Sequence, residues 1–371
     1  MLAELAWAFL KLGVTAFGGP AAHIAMMENE FVRRRKWLPH ERFLDLLGAA
    51  NLIPGPSSSE LAIYIGYERA GWLGLLVAGA AFVLPAALMV TAIAWAYVQF
   101  GSLPQLGGIL YGVKPVVIAV VVQALWGLAP KAVSSRWMGA LAVLSGIALV
   151  CGVETLAVLV GAGALSLAVH RARTHRAGNG AGLAFFAPVL AWGGGTSFSF
   201  LALFLTFVKM GAVVFGSGYV LLAFLRADFV DRLHWLTEAQ LLDAVAVGQI
   251  TPGPVFTTAT FIGYVIAGPA GAAVSTVGIF LPGFVLVAAT RPILERMRRA
   301  AGAGAFLDGV NAATLALMAV VTVQLARSAL VDAVTATLAG VGAVLLVRFK
   351  VNTTWLVLGG ALAGVAVRTL G

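Results

Sequence analysis

The sequence predicts an all-α polytopic membrane protein of about ten transmembrane helices, arranged as two inverted-topology repeats of five, with broken or re-entrant helices. Three observations predict it: an apolar, charge-poor composition, an internal duplication, and basic loops that alternate in opposite phase in the two halves. Of 371 residues, 61% are hydrophobic, 11% are charged and 44 are glycine. A soluble domain carries about 25% charged residues and about 7% glycine, which excludes an ordinary cytosolic enzyme. The formal charge of +9, from 24 basic and 15 acidic residues, suits loops facing anionic lipid and an anionic substrate, and does not point to nucleic acid.

The duplication sets the architecture. A shift of 198 aligns Phe9, Lys11, Gly13 and Phe17-Gly18 with Phe207, Lys209, Gly211 and Phe215-Gly216. It also aligns Trp37-Leu38 with Trp235-Leu236, Leu44-Asp45 with Leu242-Asp243, and Pro54-Gly55-Pro56 with Pro252-Gly253-Pro254. A shift of 197 continues through Ile65-Gly66-Tyr67 and Ile262-Gly263-Tyr264 to Leu84-Pro85 and Leu281-Pro282. The first repeat is 1–170, a basic then glycine-rich linker is 171–198, and the second repeat is 199–371.

Within the first repeat the expected crossings are 3–19, 70–98, 103–130, 137–150 and 153–170. Their counterparts are 199–217, 268–290, 305–327, 331–347 and 353–370. The intervening amphipathic pieces, 20–35 and 39–66 with counterparts 218–232 and 237–263, are too polar for simple spans and read as re-entrant or half-membrane helices. Basic residues mark Arg33 to Lys36 with Arg42, Lys131 with Arg136, and Arg171 with Arg173 in the first repeat. In the second they move to Arg291, Arg296, Arg298, Arg299, Arg348 and Lys350. By the positive-inside rule the two repeats face opposite ways, which needs an odd number of crossings in each.

Two helix breaks recur. Phe17-Gly18-Gly19-Pro20 corresponds to Phe215-Gly216-Ser217-Gly218, and Ile53-Pro54-Gly55-Pro56 to Thr251-Pro252-Gly253-Pro254. Inverted repeats with interrupted helices are the signature of a secondary transporter whose site lies near the bilayer midplane. Proline and glycine free backbone amides at the start of the next helix, where N–H donors and the helix dipole suit an anion. The hydroxyls of Ser57, Ser58, Ser59, Thr257 and Thr258 follow the second break and are candidate donors. Ser57 with Glu60 also has capping-box spacing. Glu60 has no acidic counterpart and reads either as that cap or as a proton carrier.

Charges inside a span are costly and therefore informative. Lys11 and its repeat Lys209 lie midway along the first crossing of each half. Lys114 lies mid-span and is replaced by Asn311. Each is either part of an anion pathway or buried against an acid such as Asp45, Asp243 or Glu28. Asn51 and Gln249 precede the two Pro-Gly-Pro triplets, to orient ligand or to satisfy freed carbonyls. His23 and Glu28 sit in an amphipathic piece, on a solvated face or on the pathway. Cys151 is the single cysteine and is expected to be small and buried, with no partner for a disulfide or a metal cluster. The histidines show no ligand spacing, so no metal or cofactor is expected. Met1-Leu2-Ala3-Glu4 lacks a basic signal region and is expected to remain in the mature chain. Gly108-x-x-x-Gly112 and Gly360-x-x-x-Gly364 allow close helix contacts, within one chain or in a homodimer.

These motifs, from Phe17-Gly-Gly-Pro-Ala-Ala-His23 through Asn51-Leu-Ile-Pro-Gly-Pro56 and Glu60 to Gly248-Gln-Ile-Thr-Pro-Gly-Pro254 and Thr260, resemble those of the chromate ion transporter (CHR) superfamily. The resemblance runs over nearly the whole chain. It implies a two-domain member that exports chromate, a divalent tetrahedral oxyanion, across the bacterial inner membrane by alternating access, with an ion gradient, protons among the candidates, as driving force. Ser57-Ser58-Ser59 stands where many relatives carry Asn-Ser-Thr, which leaves polar donors in place. The rivals are a transporter of sulfate or another oxyanion and, remotely, a membrane-embedded reductase, for which the chain offers no electron carrier.

Overall fold

The computed structural model describes residues 1–17, 19–100, 104–174, 197–214, 220–290 and 301–370. These form fourteen α-helices and no strand. Gly18, Gly216, Ser217, most of the linker and residues 291–300 lie outside the described residues.

The first repeat opens with α1 (Leu2–Thr15), broken at Ala16 by extended backbone (φ −82°, ψ 91°). Helix α2 (Gly19–Met27) runs on into a π-helical stretch, Glu28–Arg34. A crossing over 3–19 was expected, but fourteen residues reach only ~21 Å, short of the ~30 Å apolar core. Instead the chain doubles back: Arg35 Nη1 meets Glu4 Oε1 at 3.0 Å, and Phe9 packs on Phe31 with ring centroids 4.7 Å apart. These two arms form a hairpin with its tip at 16–19. Helix α3 (His40–Ala50) and the start of α4 (Ser57–Phe100) make a second hairpin. Its arms meet where Arg42 Nη2 reaches Glu68 Oε1 at 2.6 Å, and Pro54-Gly55-Pro56 is its tip. The pieces 20–35 and 39–66 are therefore hairpin arms rather than simple spans. Trp37 binds the two mouths together, with the Arg35 and Arg69 guanidiniums 5.1 and 4.9 Å from its ring.

Helix α4 reverses at Gly71, whose φ of 60° and ψ of −146° no other residue adopts without strain. From Trp72 it runs out as the first full span, followed by α5 (Pro104–Ala132), α6 (Arg136–Val150) and α7 (Thr155–Thr174). Cys151 is exposed at the end of α6 rather than buried, because the helix stops there and the chain turns.

The second repeat copies this order: α8 (Phe200–Val213), α9 (Val220–Leu225) with π-helical Arg226–Arg232, α10 (Glu238–Ile250), α11 (Thr258–Thr290), α12 (Ala301–Ala329), α13 (Ala333–Phe349) and α14 (Thr353–Leu370). The copy extends to detail. Phe207 packs on Phe229 at 4.9 Å, and α11 reverses at Gly268 (φ 62°, ψ −154°). The expected crossing over 199–217 is likewise a hairpin arm.

Among the described residues, five helices are long and apolar enough to cross a membrane. Large apolar side chains such as Leu88, Trp126 and Leu362 remain more than two-thirds exposed along the spans, where lipid covers them; the chain is a multi-pass membrane protein. The repeats are interlocked. Gly108 and Gly112 of α5 face Gly364 and Gly360 of α14, so close that a Cβ on Gly112 would overlap the Gly360 carbonyl. The two glycine motifs thus serve a contact within the chain. The order of these contacts makes α5 and α14 antiparallel. Gly309 of α12 meets Ala162 and Ser166 of α7 in the equivalent way.

Candidate substrate site at the hairpin tips

The Pro-Gly-Pro tips meet the broken ends of the opposite repeat's first helix. In each triplet glycine supplies the only N–H. Gly55 N–H donates to Val214 O at 2.7 Å, and Gly253 N–H donates to Ala16 O at 2.9 Å. Ala16 and Val214 occupy equivalent positions, so these two bonds form a reciprocal pair. Both glycines have positive φ, 129° and 90°. A Cβ on Gly253 would fall 2.6 Å from Ala86 Cβ, and one on Gly55 would overlap Glu60 Oε1.

Beyond the first tip, Ser57, Ser58, Ser59 and Glu60 are all buried. Glu60 does not act as the cap: its amide bonds to Pro56 O at 3.3 Å, and neither carboxyl oxygen has a hydrogen-bond partner among the described residues. Its carboxyl group lies against Gly55. Ser59 Oγ is likewise unpartnered. His23 sits not on a solvated face but buried between the two tips. Its Nε2 lies 3.0 Å from Ala16 O and its Nδ1 3.3 Å from Ser58 Oγ. A carbonyl only accepts, so Nε2 carries the proton and neutral Nδ1 accepts from the Ser58 hydroxyl. His23 thereby ties the first break, where Gly19 has φ 78°, to the helix that begins after the second.

The second repeat's tip differs. Thr257 Oγ1 donates to Pro254 O and Thr258 Oγ1 to Val255 O, each at 2.8 Å; those protons are spent on the backbone. Leu221 and Phe256 replace His23 and Ser58 by the repeat alignment. Gln249 lines a cavity of ≈10 Å³, about the space of one water, together with Thr258 and Leu221, and its Nε2 has no partner among the described residues. Asn51 and Asn311 are exposed.

The lysines divide. Lys114 pairs across the repeats with Asp243, Nζ to Oδ1 3.1 Å, and Tyr97 donates to the other oxygen at 2.9 Å. Lys209 donates to Asp228 at 2.7 Å. Lys11 has no ion pair among the described residues and lines a cleft between α1 and the returning arm. Glu28 pairs with Arg33 at 3.1 Å. Sequence reasoning missed Tyr97 and Tyr64. The Tyr64 hydroxyl lies 2.8 Å from Thr290 Oγ1 in the other repeat. Its position one helical turn beyond Glu60 was the available signal.

The family described as "Chromate transporter" matches the chain twice, over residues 3–167 and 201–365. The chain belongs to the chromate transporter family. Among relatives, the chromate transport protein of Cupriavidus metallidurans is 37% identical, over 100% of this chain and 94% of its own length. The probable chromate transport protein of Synechococcus elongatus is 34% identical, over 89% of this chain and 86% of its own. For the chromate transport protein of Pseudomonas aeruginosa the figures are 34%, 86% and 80%. No solved structure matches. Membership in the chromate transporter family makes the chain a transporter rather than an enzyme and identifies its substrate as chromate or a related oxyanion.

Proposed function

We propose that the chain exports chromate across the bacterial inner membrane by alternating access between two inverted repeats, 1–170 and 199–371, joined by the 171–198 linker. Antiparallel packing of α5 against α14 supports the inversion; with four spans in each repeat rather than the expected odd number, the inversion requires the two repeats to start on opposite faces. Helix α14 is separated from α12 by two short turns, so it runs the same way as α12, and α12 therefore opposes its repeat counterpart α5.

The observation that carries the proposal is Glu60, a fully buried carboxyl without a hydrogen-bond partner among the described residues. It lies beside an unpartnered serine hydroxyl, where the tips of both repeats meet. An ionised, unpaired carboxylate there would cost several kcal/mol and would repel a divalent anion. Glu60 therefore binds a proton when chromate is bound, and its O–H joins Ser59 and the freed tip amides as donors. Entry requires the tips to part, so the Gly55–Val214 and Gly253–Ala16 bonds open in turn, one for each face. An inside-negative potential favours outward movement of a dianion by about 2.3 kcal/mol per charge per 100 mV.

The test is uptake of labelled chromate into inverted vesicles across a pH series, with labelled sulfate as a ligand that stays divalent throughout. Transport falls as pH rises and Glu60 loses its proton. Glu60→Gln, a permanently neutral isostere, keeps anion exchange and flattens the profile. A Glu60→Gln profile that tracks the wild type overturns the assignment.

A further inference from the structure

The arms of the first hairpin flank an open cleft of ≈230 Å³, lined from Arg34 near the mouth to Thr15 near the tip by Lys11, Asn29 and Glu30 among others, with Arg34, Asn29, Lys11 and Thr15 all exposed to it. The second repeat holds the equivalent residues shut. Lys209, at the position of Lys11, donates to Asp228, at the position of Glu30, at 2.7 Å, and Arg232 adds a bond at 2.9 Å. In the first repeat, Arg35 occupies Glu30 Oε1 at 2.6 Å and Arg34 occupies Oε2 at 3.0 Å. The residue matching Arg35 in the second repeat is Leu233. One extra guanidinium has thus displaced a lysine from its carboxylate. Lys11 lies ~10 Å in from Glu4 along α1, a depth at which an ammonium is retained only where it is paired or serves a pathway.

We infer that this cleft is a binding subsite for a tetrahedral oxyanion, held by the Lys11 ammonium with the Asn29 amide alongside, while Arg34 and Arg35 pair with and neutralise the Glu30 carboxylate that also lines it. The Thr15 hydroxyl is occupied by the Lys11 carbonyl at 2.8 Å and acts only as a wall. The cleft leads from the mouth toward the Ala16 break, so it is the approach to the hairpin tips. Where the anion is the transported one, the inference rests on the function proposed above. A phospholipid phosphate offers the same chemistry from the bilayer.

The experiment places a thiol at the site with Lys11→Cys in a Cys151→Ser background and follows its reaction with an anionic methanethiosulfonate reagent. A parallel Lys11→Gln variant is assayed for chromate uptake. Protection of the thiol by chromate and by sulfate, with the half-saturating chromate concentration raised about tenfold in Lys11→Gln and restored in Lys11→Arg, establishes the transported anion as occupant. Protection that follows the anionic phospholipid content of the vesicles, and ignores added chromate, establishes a lipid phosphate instead. A modification rate indifferent to both, together with a Lys11→Gln variant that transports like wild type, overturns the subsite. Wild-type protein that carries no chromate while sulfate still protects the thiol would sink the proposed function and leave the subsite standing.

Discussion

At the scale of single residues, the two tip glycines are the sharpest points of constraint. Gly55→Ala places a methyl against Glu60 Oε1 in a positive-φ conformation, and Gly253→Ala drives one into Ala86. Left-handed backbone alone costs a non-glycine residue roughly 1–2 kcal/mol, and the overlaps add to it. We expect each variant to reach the membrane and to lose transport at least ~100-fold, the equivalent of about 2.7 kcal/mol at the barrier. Gly48→Ala on α3, where a Cβ meets nothing within 4 Å, serves as control. Wild-type rates in Gly55→Ala would show that the tip tolerates reshaping. Both triplets were legible in the sequence, since Pro-Gly-Pro admits few backbone conformations. What the triplets touch was not legible: the partners Val214 and Ala16 come from the opposite repeat, and only tertiary structure selects them. His23 illustrates the limit. Its amphipathic segment suggested a wet face, but the segment is one arm of a hairpin with a buried inner side.

At the scale of elements, ion pairs hold helices that the sequence separates widely. Lys114 on α5 and Asp243 on α10 are near-buried partners from different repeats, and removing one strands the other. Lys114→Met alone should destabilise the protein by about 3–5 kcal/mol, whereas the double variant Lys114→Met/Asp243→Leu should recover most of that loss. Thermal unfolding in detergent measures both. Transport by the double variant decides the role of the pair: retained flux makes it structural, and lost flux with recovered stability returns Lys114 to the pathway. The same non-locality explains the misreading of 3–19 as a crossing. An apolar helix of fourteen residues looks like a short span in sequence. The Arg35–Glu4 pair and the Phe9–Phe31 contact reveal that it is an arm. The polar content of 20–35 and 39–66 did mark them as something other than simple spans, because charges such as Glu30 and Arg42 pair at the hairpin mouths.

At the scale of the whole molecule, the charge pattern and the helix order make one joint prediction. The mouths of the first repeat's hairpins carry Arg33, Arg34, Lys36 and Arg69. Helix α4 leaves from that side after Gly71, α5 returns to it at Lys131 and α7 returns to it at Arg171, so every basic cluster of the repeat lies on one face. The α6–α7 turn, with Cys151, then lies on the opposite face. Under the proposed inversion its counterpart, the turn after Phe349 that carries Lys350, lies with the basic clusters in the cytoplasm. The native cysteine is exposed and reports directly. A membrane-impermeant maleimide should label Cys151 from the periplasmic side in intact cells. Phe349→Cys in a Cys151→Ser background should be labelled only after the inner membrane is opened. Labelling of both from one side would mean repeats that run parallel. Chromate would then need a path that does not exchange the two tips, and the reciprocal Gly55 and Gly253 bonds would lose their role as gates to opposite faces.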